Sequence, residues 1–188
     1  MNRRRALRLS AGAAAALLLG GHTPYGQWVV YRKKHLLIGC HKADPETYDL
    51  AKRVVALLAK HLPAAKSRVA RAPDAGRLAS LLGTGQMAVA TLSAPDAAAM
   101  ARGTGRFEAY GAIALRALTP VAGRLLVARA DFPERHAWLV TGALVGTDLA
   151  PARERPGDPP GDSLGDPGLP WHPGSVAFLE GRPEPGDG

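Results

Sequence analysis

Cys40 and His41 stand side by side in this chain, and a thiol next to an imidazole suggests a metal site or a lipid attachment point. The surroundings support neither. Cys40 is the only cysteine, the six histidines are scattered, and neither a Cys-x-x-Cys nor a His-x-x-x-His spacing occurs. Leu37-Ile38-Gly39-Cys40 has the form of a lipoprotein cleavage box, but it follows Arg32-Lys33-Lys34-His35 and lies well past the apolar N-terminal run. The remaining reading is a lone thiol at a strand end. No G-x-S-x-G, P-loop or strand-borne G-x-G-x-x-G is present, and no base–nucleophile pair is supported by spacing. His136 and Trp138 fall on a predicted helix and read as surface and packing residues. The chain therefore reads as a non-enzyme, with no cofactor and no metal expected.

Binding chemistry depends on what positions these residues. His35 to Gly39 is a short apolar run closed by glycine, as a buried strand would be. Asp44 offers an N-cap and Pro45 a first helical position. Tyr48, Ala51, Val54, Val55, Leu58 and Leu62 then recur at helical spacing up to Pro63. Ser67–Ala72 alternates as a strand, Asp74 caps a helix ended by Gly83, and Met87–Leu92 reads as a buried strand. Ser93 caps a helix over Pro95–Arg102. Two apolar runs, Ala112–Thr119 and Arg124–Ala130, are separated by Pro120 and Gly123, and a helix starting at Asp131 and Pro133 runs through Leu144. The order βαβαβα then ββα predicts an α/β fold with a mostly parallel sheet flanked by helices. Ligands of such sheets sit beyond the carboxyl ends of the strands, against helix N-termini. Those places are the Gly39–Thr47 and Leu92–Asp96 loops.

Charge and composition narrow the partners. The 188 residues carry a formal net charge of +8. Seven basic side chains and no acid lie in residues 1–34, which leaves seventeen basic against sixteen acidic groups elsewhere. A near-neutral body lacks the electrostatic footprint of a nucleic-acid binder. The N-terminus, basic and then apolar over thirteen residues from Leu9 to Gly21, suits a signal peptide and is too short to span a bilayer. Arg3-Arg4-Arg5 fits either a Sec or a twin-arginine route. No clean A-x-A site follows Leu19, and Tyr25, Trp28 and Tyr31 with Arg32-Lys33-Lys34 suit a membrane surface, so an uncleaved anchor is the alternative. The expected organisation is a signal or anchor over 1–34, the α/β domain over 35–149, a Pro/Gly/Asp-rich linker over 150–170, a C-terminal element over 171–182 and a tail over 183–188. Six prolines and four glycines between Pro151 and Pro170 bury too little apolar surface to offset their ordering entropy.

Three stretches together resemble one family. Leu37-Ile38-Gly39 followed by Thr47-Tyr48, the Gly85–Ala90 strand, and His172-Pro173-Gly174-Ser175 with Val176-Ala177-Phe178 resemble segments of TAXI-type solute-binding subunits of TRAP transporters. The resemblance implies one lobe of a periplasmic binding protein, most of the second lobe being absent. It also implies export to the periplasm, a small organic acid or amino acid (glutamate-like) as ligand, and a TRAP permease membrane subunit as partner. Carried onto the strand-end loops, it places ligand contacts at Gly39, Cys40, Thr47, Tyr48, Ser93 and Asp96. Ala88 stands where the family strand has Asp, Cys40 replaces a small hydroxyl residue, and Pro95 falls at a ligand-side Asp, with Asp96 adjacent. A degenerate member acting as an envelope interaction or sensor protein is the alternative.

Overall fold

The computed structural model describes residues 34–150 and 167–186. The expected signal or anchor and most of the expected linker lie outside them. Five strands, β1 (Leu37–His41), β2 (Arg68–Ala72), β3 (Val89–Leu92), β4 (Leu115–Val121) and β5 (Arg124–Arg129), form one sheet in the order β2-β1-β3-β5-β4. β1 pairs parallel with β2 and β3, while β5 is antiparallel to both β3 and β4. Four strands therefore point one way, and the fold is the α/β lobe expected. Five helices accompany the sheet in the described residues: α1 (Pro45–His61), α2 (Ala75–Gly83), α3 (Ala94–Arg102), α4 (Glu134–Leu144) and α5 (Pro173–Leu179).

The helix starts are local chemistry. Asp44 accepts from the Thr47 amide at 3.3 Å, Asp74 from that of Arg77 at 2.7 Å, and Ser93 from that of Asp96 at 3.2 Å. Each cap fills an orphan donor of its first turn. Alternation along the strands then sorts the core into two halves. Ile38, Cys40, Val89 and Leu126 face α1 and α4, packing with Leu50, Val54, Leu58, Val140 and Leu144. Ala90, Leu92, Leu125 and Val127 face α2 and α3, packing with Leu78, Leu82 and Met100.

Among the boundaries that differ from expectation, three bear on the site and its surroundings. β1 does not close at Gly39 but continues to His41. At Gly39 a Cβ would collide with Met87 Sδ and lie 2.8 Å from Leu78 Cδ1, a close approach inside the strand. β4 runs through Pro120 to Val121, which an edge strand tolerates. The turn after it, Ala122-Gly123, has φ of 45° and 74°, the two positive values of a tight hairpin. α4 begins at Glu134 rather than Asp131, because Pro133 stays extended at the N-cap position and disfavours helical backbone in the residue before it; Asp131 pairs with its near neighbour Arg129 at 2.6 Å.

The far end of the expected linker belongs to the lobe. Leu169 is buried on the α2/α3 side. Pro170 O accepts from the Ala117 amide at 2.9 Å and the His172 amide donates to Ala117 O at 2.8 Å, so residues 170–172 cover the β4 edge. α5 then clasps α4. His172 caps α5, and its Nε2 lies 2.9 Å from Phe132 O, which can only accept; Nδ1 is therefore bare and accepts from the Gly174 amide at 3.2 Å. Ser175 and Thr141 hydroxyls meet at 2.8 Å. Trp138 and Phe178 pack edge to face at 5.2 Å. In the expected tail, Glu184 pairs with Arg135 at 2.5 Å.

Candidate functional site

The carboxyl ends of β1, β2 and β3 and the N-termini of α1, α2 and α3 lie at one edge of the sheet, where the strand-to-helix turns are short. β5 is antiparallel, so its first residue, Arg124, reaches the same edge. Its guanidinium binds Asp44 at 3.0 Å and also contacts Glu46. It thereby ties the β4–β5 hairpin to the first turn of α1. Across the edge, Asp96 pairs with Arg106 at 2.5 Å. Arg106 lies in a 3-10 turn, Gly105–Tyr110, that connects α3 to β4.

The six residues expected to contact ligand divide in two. Gly39, Cys40 and Thr47 are inside the fold. The Cys40 thiol faces the α1/α4 core 3.8 Å from Ala70 O, and burial pushes its pKa up to about 11, with Arg71 pulling weakly the other way. Such a thiol stays protonated at neutral pH and is a poor nucleophile. Thr47 is spent on local structure: its hydroxyl donates to Asp44 O at 2.8 Å and its carbonyl accepts from Thr91 Oγ1 at 3.1 Å. The same Thr91 hydroxyl is 3.1 Å from Gly39 O, which pins α1 to β1. Tyr48 is half-buried and carries Arg71 and Lys52 over its ring, at 4.2 and 4.7 Å. Ser93 and Asp96 remain at the edge, Ser93 as the cap of α3 and Asp96 as the partner of Arg106.

The edge holds a residue that sequence reasoning considered only as a metal partner. His41 ends β1 and alternates with Cys40, so it shares the α2/α3 face with Gly39. It is 2% exposed, and neither ring nitrogen has a hydrogen-bond partner. Burial is the main cause of a lowered pKa; Asp44, Asp96 and Asp74 act to raise it and Arg106 to lower it. The ring is therefore neutral at pH 7. The signal for it was the strand's alternation, which was missed because β1 was ended at Gly39. Arg124 and Arg106 gave no local signal, since their partners are distant in sequence. Among the described residues no group of three or more His, Cys, Asp or Glu side chains is placed to hold a metal ion. No helix among them is long and apolar enough to cross a membrane.

Comparison with protein-family models, with curated proteins and with solved structures gives no match for this chain.

Proposed function

We propose that this chain is a solute-binding lobe of the TAXI type, which takes a small organic acid or amino acid in the periplasm and presents it to a TRAP permease subunit. The observation that carries the reading is the carboxyl edge itself. Three helix N-termini, two guanidiniums at Arg106 and Arg124, and the polar groups of Ser93, Asp96 and His41 gather at the end of a mostly parallel sheet. Positive helix ends and guanidiniums suit a carboxylate, and the carboxylates beside them suit an amine. The His172-Pro173-Gly174-Ser175 stretch supports the same reading. It is a built clasp rather than a loose tail, as a family element would be. Residues 1–34 would direct export by the Sec or twin-arginine route or hold the lobe at the membrane.

A second reading has its own observation. Both guanidiniums are already paired within the chain, and Gly39, Cys40 and Thr47 offer nothing to a ligand. A lobe whose edge is satisfied internally suits an envelope interaction or sensor protein. Thermal shift with glutamate, glutamine and succinate separates the two. A true solute at a hundred times its Kd stabilises by about 2.7 kcal/mol, or roughly 5–10 °C for a chain of this size. No stabilisation by any of them at about 10 mM would exclude a Kd at or below the millimolar range for these solutes and favour the interaction protein.

A further inference from the structure

Among the described residues, His41 is the buried side chain whose polar atoms have no hydrogen-bond partner. A buried polar group left unpaired lowers stability, and an apolar residue at the same place would avoid the loss. The charged groups whose field acts on the ring come from four elements at this end of the sheet: Asp44 at the start of α1, Asp74 at the start of α2, Asp96 in the first turn of α3, and Arg106 in the 3-10 turn. Three carboxylates outnumber the two guanidiniums there, Arg106 on Asp96 and Arg124 on Asp44, so the surround favours a positive charge. The helix starts are already capped by Asp44, Asp74 and Ser93, so the unused hydrogen-bonding capacity is that of the imidazole. A neutral imidazole offers one nitrogen as an acceptor.

We propose that His41, together with Asp96 and Asp74, is a recognition point for the primary ammonium group of a small solute. The proposal rests on the solute-binding reading and narrows it to ligands that carry an amine. The ammonium donates to the bare nitrogen of His41 and takes the place of Arg106 on Asp96. Arg106 leaves with its loop, whose neck is narrow. At Gly103 a Cβ would lie against the Gly111 backbone and 2.5 Å from Ala112 N, so the two ends of the 104–111 segment touch. Compact loops with touching ends are frequent carriers of function. Within that loop Phe107 is buried in the α2/α3 core and Tyr110 lies against Gly76 of α2, while the residues between them are exposed.

The test uses the purified full-length chain and three probes: L-glutamate, glutarate (the same two carboxylates without the amine) and 1,4-diaminobutane. Calorimetry and the ring-nitrogen resonances of His41 are read for the wild type, with calorimetry and melting for His41→Leu. The expected result is that an amine-bearing probe shifts the His41 ring signals and binds at least about tenfold more tightly than glutarate. His41→Leu loses at least about tenfold of that affinity while melting at or above the wild-type temperature without ligand. Diaminobutane binding that needs His41, with glutamate inert, supports the ammonium site and overturns the acid-binding reading. Glutamate and glutarate binding equally to wild type and variant overturns the ammonium site and leaves the solute reading standing. A variant that melts several degrees below wild type shows that His41 serves the fold and overturns the proposal. Ring signals that no probe moves overturn it as well.

Discussion

Gly174→Ala should undo the clasp between α5 and α4. A Cβ at position 174 would collide with Glu134 O and lie 2.8 Å from the Glu134 carbonyl carbon and 3.0 Å from Ala137 Cβ. The first two obstacles are backbone of the first turn of α4, which has no rotamer to escape into. Carbon contacts relax at about 3.5–4.0 Å, so α5 must retreat by roughly 1 Å. That retreat carries the His172 Nε2 to Phe132 O contact, now 2.9 Å, and the Ser175 to Thr141 contact, now 2.8 Å, beyond hydrogen-bond range. Both pairs are buried, and leaving each unmet costs about 1–2 kcal/mol, for a total of roughly 2–4 kcal/mol. At about 2–4 °C per kcal/mol the melting temperature should fall by roughly 5–15 °C. Gly186→Ala is the control, because nothing lies within 4 Å of a Cβ there. Differential scanning calorimetry of the two variants beside the wild type is the assay. Gly142→Ala should be milder, because the obstacle is the Phe178 ring and a side chain can turn aside. A Gly174→Ala protein that melts within about 1 °C of wild type would refute the reasoning, since the clasp would then contribute nothing to stability.

Acidification should weaken the fold through His172 and His41. Burial holds both below the ordinary value of about 6.5, so the unfolded chain takes up these protons before the folded one does. Their stability contribution is complete above the unfolded value and declines as pH falls through it towards the lower folded values. Urea midpoints should therefore drop between pH 7.5 and pH 5, and the slope should shrink in His172→Asn; an unchanged slope in that variant would contradict a lowered folded-state pKa for His172. Cys40, buried with a pKa near 11, should react with a thiol reagent at pH 8 at least about a hundredfold more slowly in the folded protein than in urea. A folded-state rate close to the unfolded one would place the thiol at the surface. With a single cysteine in the chain, the readout has one source.

The helix starts and the alternating strands were legible in the amino-acid order because their causes are local. Asp44, Asp74 and Ser93 reach an amide three residues on, and the apolar spacing of α1 needs nothing beyond α1. The α/β class followed from that order. What tertiary structure decided is which residue meets which across the sheet. Gly39 looked like a strand stop, but pairing with β2 carries β1 on to His41, and Met87 and Leu78 pack where a side chain at 39 would stand. With the strand end so placed, Cys40 turns into the α1/α4 core and His41 falls on the opposite face of the sheet, the face of Gly39. The binding of Arg124 to Asp44 spans eighty positions and depends on β5 running antiparallel, a fact of sheet topology that no window of neighbouring residues contains. Pro170 read as the end of a linker, because a proline-rich stretch cannot declare that a sheet edge with an open Ala117 amide is waiting for it.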